Sequence, residues 1–199
     1  MTRLPTLFIS HGSPMLAIQE SLAHRFLLTL GDTLPRPKAI LVASAHWETS
    51  AAPAVSLTPD PQTIHDFGGF PRALFEIEYG APGAPEVAAR AMAELERQGV
   101  TAQTHATRGL DHGAWVPLRL MYPQADIPVA QISVVRGASP AEHLRIGRAL
   151  SSLRDEGVLV IGSGPGGLAA ALAAARAGAE VTLLDRFGCF GGNITVVGV

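Results

Sequence analysis

Cysteine is almost missing from this 199-residue chain, with Cys189 the only one. An internal disulfide is therefore excluded, and the composition fits a reducing compartment. Charge is also sparse: Asp, Glu, Lys and Arg make up 16% of the residues, and the formal net charge is −2. No run of Lys or Arg occurs, which argues against the electrostatic footprint of a nucleic-acid binder. No stretch of about 18 uncharged apolar residues occurs either, so no membrane span is expected. The opening Met1-Thr2-Arg3-Leu4-Pro5 leads only into the short apolar run Leu7-Phe8-Ile9, which is not the pattern of a signal peptide. These absences predict a cytoplasmic protein. The sequence sets no oligomeric state.

Apolar residues are plentiful at 47%, enough for one good-sized domain or a domain plus a fragment. Their pattern alternates strands with helices. Strands are expected at Thr6 to Ile9, Ala39 to Ala43, Ala54 to Leu57, Val129 to Val134, Val158 to Ile161 and Glu180 to Leu184. Helices are expected at Leu16 to Leu30, ended by Gly31-Asp32, and at Glu86 to Gln98, apolar at Val87, Ala91 and Leu95 and closed by Gly99. Further helices are expected at Ala114 to Met121, at Pro140 to Arg154 and at Gly167 to Ala177. Such alternation predicts an α/β fold, a mixed central sheet flanked by helices, with a C-terminal Rossmann-like βαβ unit.

The chemistry-bearing residues are histidines. His11 and His46 each follow a predicted strand, and ligands of open α/β sheets bind at the carboxyl ends of strands. His112 stands where a loop opens a helix, and His65 lies in the Pro/Gly-flanked loop Thr63-Ile64-His65-Asp66-Phe67-Gly68-Gly69. Two neutral imidazoles with open coordination positions suit Fe(II) oxygen chemistry or catalytic zinc, and a further histidine near the site can carry a proton. The spacing alone matches no compact motif, so His11 and His46 stand evenly between ligands and ordinary turn residues. His24, His105 and His143 read as surface or turn residues, with His24 and His143 on solvated helix faces beside Arg25 and Arg145. Glu48, two residues after His46, is a carboxylate that a weakly held zinc could use.

Four segments together resemble the class III extradiol ring-cleavage dioxygenases of the DOPA-dioxygenase type. They are Phe8-Ile9-Ser10-His11-Gly12-Ser13-Pro14, Ser44-Ala45-His46-Trp47-Glu48, Ile64-His65-Asp66-Phe67-Gly68-Gly69-Phe70-Pro71 and Leu110-Asp111-His112-Gly113-Ala114-Trp115-Val116-Pro117-Leu118. The resemblance runs from the N-terminus to about Gly164. It implies His11 and His46 as metal ligands, His112 as the acid/base or oxyanion-stabilising histidine, and His65 as a residue lining the pocket. It implies Fe(II), with zinc as the alternative metal, and a reaction that inserts both atoms of dioxygen into a catechol and opens the ring next to the diol. In the family, more chain supplies a third ligand and another pocket histidine. No histidine follows His143 here, so residues 1–157 are expected to form a dioxygenase-like domain incomplete at its C-terminus and impaired in activity.

Residues 158–199 are expected to form a dinucleotide-binding-like βαβ fragment, packed on the same sheet. Gly162-Ser163-Gly164-Pro165-Gly166-Gly167 matches G-x-G-x-x-G after a strand, and Asp185 follows the next strand. Gly162 would allow the turn, Gly164 the approach of a pyrophosphate, Gly167 the packing of helix on strand, and Asp185 would accept from a ribose. The stretch resembles the opening of FAD-dependent oxidoreductases. Two uses stand open: an FAD site, and a unit that completes the sheet and binds nothing, which the shortness of the fragment favours.

Overall fold

The computed structural model describes residues 3–163 and 181–184. Seven strands form one sheet: β1 (Thr6–Ile9), β2 (Ala39–Thr49), β3 (Ala54–Ser56), β4 (Gln103–His105), β5 (Val129–Val135), β6 (Val158–Ser163) and β7 (Val181–Leu184). Their order across the sheet is β4-β3-β5-β2-β6-β1-β7. Every neighbouring pair is parallel except β3 with β5, so the sheet is mixed, as expected.

The helices among the described residues are α1 (Leu22–Thr33), α2 (Arg72–Phe75), α3 (Pro85–Arg97), α4 (His112–Met121) and α5 (Pro140–Ala149). The period-2 pleat of β2 divides the core. Ile40 and Val42 point into a cluster with Leu27, Trp115 and Leu118, from α1 and α4. Ala39 and Leu41 point the other way, to Ala88, Ala91 and Leu95 of α3 and to Leu153. Both faces of the sheet are thus covered, and each fully buried Leu contributes roughly 1.5–3 kcal/mol.

Several boundaries differ from expectation. The helix expected over Leu16 to Leu30 is two pieces, a 3-10 turn at Pro14–Ala17 and then α1. Ser21 starts α1, because its hydroxyl accepts from the His24 amide at 3.1 Å. Gly31 does not stop α1: it is where α1 presses on the end of α4, and a Cβ there would overlap the Met121 carbonyl. The expected helix Pro140 to Arg154 is α5 followed by a 3-10 stretch at Leu150–Glu156. Strand β4 and the short α2 were not expected; β4 is three exposed residues with no apolar pattern to reveal it.

At the C-terminal end, β6 and β7 do not pair with each other. Strand β1 lies between them, parallel to both. The two strands of the expected Rossmann-like βαβ unit are therefore parallel members of the same sheet, separated by the N-terminal strand. Gly162 is not a turn glycine: it lies inside β6, opposite Phe8 of β1 and Ala43 of β2, because both neighbours continue the ladder past it. Gly164, Gly167, the helix expected over Gly167 to Ala177, and Asp185 lie outside the described residues. Among the described residues no helix is long and apolar enough to cross a membrane.

Candidate metal centre

Strands β1, β6 and β2 are parallel neighbours, so β1 and β2 deliver their carboxyl ends to one edge of the sheet. His11 follows β1 by two residues and is buried. His46 was expected in a loop after its strand, but β2 continues to Thr49. The correction has a local cause. Pairing with β5 is regular as far as Ser44 and resumes only at Glu48, so Ala45, His46 and Trp47 occupy an irregular stretch. A break of this kind bends a strand and re-aims its side chains.

The third histidine is placed by a helix start. Asp111 caps α4, and its side chain accepts from the Ala114 amide; His112 is the first helical residue. Asp111 is fully buried and does more than cap. Its Oδ1 accepts from Ser44 Oγ at 2.6 Å, and its Oδ2 accepts from Arg108 at 2.7 Å and from Gln131 Nε2 at 2.9 Å. Ser44 is the last regularly paired residue of β2 before the break, so this carboxylate ties strand to helix. Arg108 adds a donor to the His46 carbonyl at 3.4 Å and lies 5.2 Å from the Trp47 ring. Gly113 is required where these parts meet: a Cβ there would stand 2.6 Å from Ser44 Oγ and 3.0 Å from His46 Cδ2.

The result is a convergence of His11, His46 and His112. One ring nitrogen from each can be chosen so that all lie within 4.8 Å of one another. The ring centroids of His46 and His112 are 3.9 Å apart, and His11 is 4.8 Å and 5.0 Å from them respectively. His46 Nε2 and His11 Nε2 face each other at 3.1 Å. Two nitrogens each about 2.1 Å from a shared ion lie about 3.0–3.4 Å apart at octahedral or tetrahedral angles, so this pair fits joint ligation. Burial, followed by repulsion from charge on His112 and His46, lowers the His11 pKa to about 3. Burial and repulsion by His112 also lower that of His46. Both imidazoles are neutral near pH 7, the form that binds metal.

Asp66 also belongs to this centre. Its Oδ1 accepts from His112 Nδ1 at 2.9 Å and from the His112 backbone amide at 3.0 Å, and its Oδ2 stands 3.4 Å from His46 Nδ1. Burial pushes this carboxyl up, but the hydrogen bonds and charge of His112 outweigh it and hold it at about 2. Sequence reasoning named His65 and missed its neighbour. In an irregular loop no periodicity tells which of two adjacent side chains faces inward.

His65 is not part of the cluster. Its Nε2 donates to the Ile77 carbonyl at 3.0 Å, and its ring lies 5.8–5.9 Å from Phe67, Phe75 and Trp115. Phe67 connects this aromatic group to the centre, edge-on to His112 at 5.6 Å. Glu48 turns away to pair with Arg136 at 2.8 Å, so it does not replace a ligand. His105 is exposed on β4. His24 and His143 are not on fully solvated faces: they are half-buried, with His24 Nδ1 2.7 Å from the Leu16 carbonyl and His143 Nε2 accepting from the Val135 amide.

Residues 5–182 match the family model described as the catalytic LigB subunit of aromatic ring-opening dioxygenase. A 4,5-DOPA dioxygenase extradiol of Beta vulgaris is 51% identical over 163 residues, covering 80% of this chain and 60% of that protein. The crystal structure of an uncharacterized protein from Escherichia coli K12 superposes with a TM-score of 0.67 at 38% identity, over 82% of this chain and 60% of that one. The chain therefore spans about 60% of the length of these relatives. A stretch of 42 residues is 57% identical to a putative glutamate synthase [NADPH] small chain of Cereibacter sphaeroides, over 21% of this chain and 10% of that protein. That overlap is too small a share of either chain to assign a family.

Proposed function

We propose, from the premise that this chain belongs to the LigB family of aromatic ring-opening dioxygenases, that it opens a catechol-type ring next to the diol, with dioxygen as co-substrate. The convergence of His11, His46 and His112 carries the reading. His11 and His46 hold the metal, and His112 serves as acid and base beside it. Fe(II) is the metal proposed for catalysis, and the same nitrogen donors accept zinc. When bound, Fe(II) supplies the redox chemistry through which dioxygen reacts with the ring.

The chain's own residues supply the rest. Burial keeps the His11 imidazole unprotonated, so protons do not compete for its lone pair until the solution is strongly acidic. His112 has Nδ1 engaged by Asp66 and Nε2 free. That nitrogen takes a phenolic proton as the substrate binds and returns it as the ring opens. Phe67, edge-on to His112 and with Phe75 and Trp115 tilted against it by 47° and 48°, gives an aromatic wall next to His112. Such a wall suits the face of an aromatic substrate. Both atoms of dioxygen end in the product, so the reaction needs no external reductant.

The test is anaerobic reconstitution with Fe(II), followed by catechol and oxygen. A yellow ring-opened product is expected, and His46→Ala should abolish metal uptake. A folded protein that retains iron through dialysis and yields no product would reduce the reading to a metal-binding site without ring-opening activity.

A further inference from the structure

We infer that Asp66 is the positioning residue of this centre: its single carboxylate holds both His112 and His46 with the proton on Nδ1, leaving Nε2 of each ring bare. A carboxylate only accepts hydrogen bonds, so a ring nitrogen facing it must carry hydrogen. Asp66 Oδ1 faces His112 Nδ1 at 2.9 Å, and Oδ2 faces His46 Nδ1 at 3.4 Å. A neutral imidazole has one N–H, so Nε2 of each ring keeps its lone pair. Either proposed role needs this state, since a metal ligand and a base both use a bare nitrogen. The opposite tautomer would aim N–H at the centre and block both.

The carboxylate is itself held. Oδ1 also accepts from the His112 backbone amide at 3.0 Å. That amide opens α4, where the first N–H groups have no partner inside the helix and the helix dipole favours an anion. Asp66 is thus fixed to the same helical turn that carries the His112 ring. On its far side the next residue, Phe67, packs edge-on against that ring at 5.6 Å and limits its rotation. The two contacts are unequal. The 2.9 Å bond to His112 has ideal length for a charge-assisted pair, whereas 3.4 Å to His46 is long. His112 is therefore the ring that depends more on Asp66, and His46 has a second constraint in its Nε2 contact with His11.

The inference rests on the metal-site reading above, but its first readout needs no metal. Long-range proton–nitrogen NMR of the metal-free, nitrogen-15-labelled full chain at pH 8 reports which ring nitrogen of each histidine carries the proton. His112 is expected to carry it on Nδ1. In Asp66→Asn the amide oxygen keeps the His112 backbone amide and Nδ1, and the NH2 faces His46 Nδ1, so the proton of His46 should move to Nε2. Zinc affinity, measured by competition with a chromophoric chelator, should then fall about 10- to 100-fold. Asp66→Glu, which restores an acceptor, should return the Nδ1 proton. A proton on His112 Nε2 in the parent protein would overturn the inference without any variant being made. So would an Asp66→Asn protein unchanged in both tautomer and zinc affinity. A parent that takes up no zinc would instead overturn the metal reading, while the NMR result still decides the role of Asp66.

Discussion

Removing the Asp111 carboxylate should unfold the connection between sheet and site, and its effect on stability can be worked from its partners. Asp111→Ala leaves Arg108, whose side chain is 19% exposed, without its ion pair, and strips acceptors from Ser44 and Gln131, both fully buried. Breaking a buried pair by deleting one partner costs about 3–5 kcal/mol, because the remaining charge stays desolvated. Losing the cap of α4 accounts for about 1 kcal/mol of that loss by itself. With a urea slope of about 2 kcal/mol per molar, the unfolding midpoint should drop by about 1.5–2.5 M. Asp111→Asn keeps an acceptor for Ser44 and for the cap but loses the charge opposite Arg108, so it should fall between, at about 1–3 kcal/mol. The comparison variant is Asp126→Ala. Asp126 pairs with Arg36 at 2.6 Å, but both side chains are more than half exposed, and such pairs contribute less than about 1 kcal/mol. Urea unfolding of the three variants beside the parent decides the matter. If Asp111→Ala shifts the midpoint no more than Asp126→Ala does, the network does not hold β2 to α4 and the reasoning fails.

Two further outcomes follow from the same geometry. Gly113→Ala gains up to about 1 kcal/mol of helix propensity but brings a Cβ to 2.6 Å from Ser44 Oγ, and overpacking of this kind costs about 1–3 kcal/mol. A lower unfolding midpoint and weaker zinc binding are expected, and a more stable protein with unchanged affinity would contradict the packing. Stability should also fall with acid in two stages. The His11 pKa drops from 6.5 in the unfolded chain to about 3 in the fold, so only the unfolded chain gains a proton between those values. That stability is complete above pH 6.5 and declines by up to about 1.4 kcal/mol per pH unit below it. Asp66, held at about 2, contributes stability that is present above pH 4 and lost as the pH falls toward 2. Urea midpoints at pH 7, 6 and 5 test the first stage, before most carboxylates titrate, and equal midpoints at all three would refute it.

The amino-acid sequence by itself determined the layers of this protein and the identity of its histidines. Apolar runs such as Ile40-Leu41-Val42 are buried on both faces, so they report a covered sheet whatever its order. The stripe Ala91 and Leu95 on α3 follows from a period of 3.6 that owes nothing to distant contacts. His11, His46 and His112 were legible because they recur in segments characteristic of a family, each near the end of a strand or the start of a helix. The tertiary structure alone decided the rest. The insertion of β1 between β6 and β7 joins residues more than 150 positions apart, which no local pattern encodes. The length of β2 past His46 depends on pairing that β5 resumes at Glu48. Asp66 became part of the centre only because its loop meets the first turn of α4, 46 residues on, where a free backbone amide and an imidazole both need an acceptor. Its neighbour His65, the same distance from any periodic signal, turned toward Ile77 and the aromatic wall instead. Periodicity reports which side of an element is buried; which loop residue meets a ring nitrogen depends on contacts across the fold, and those form only when it closes.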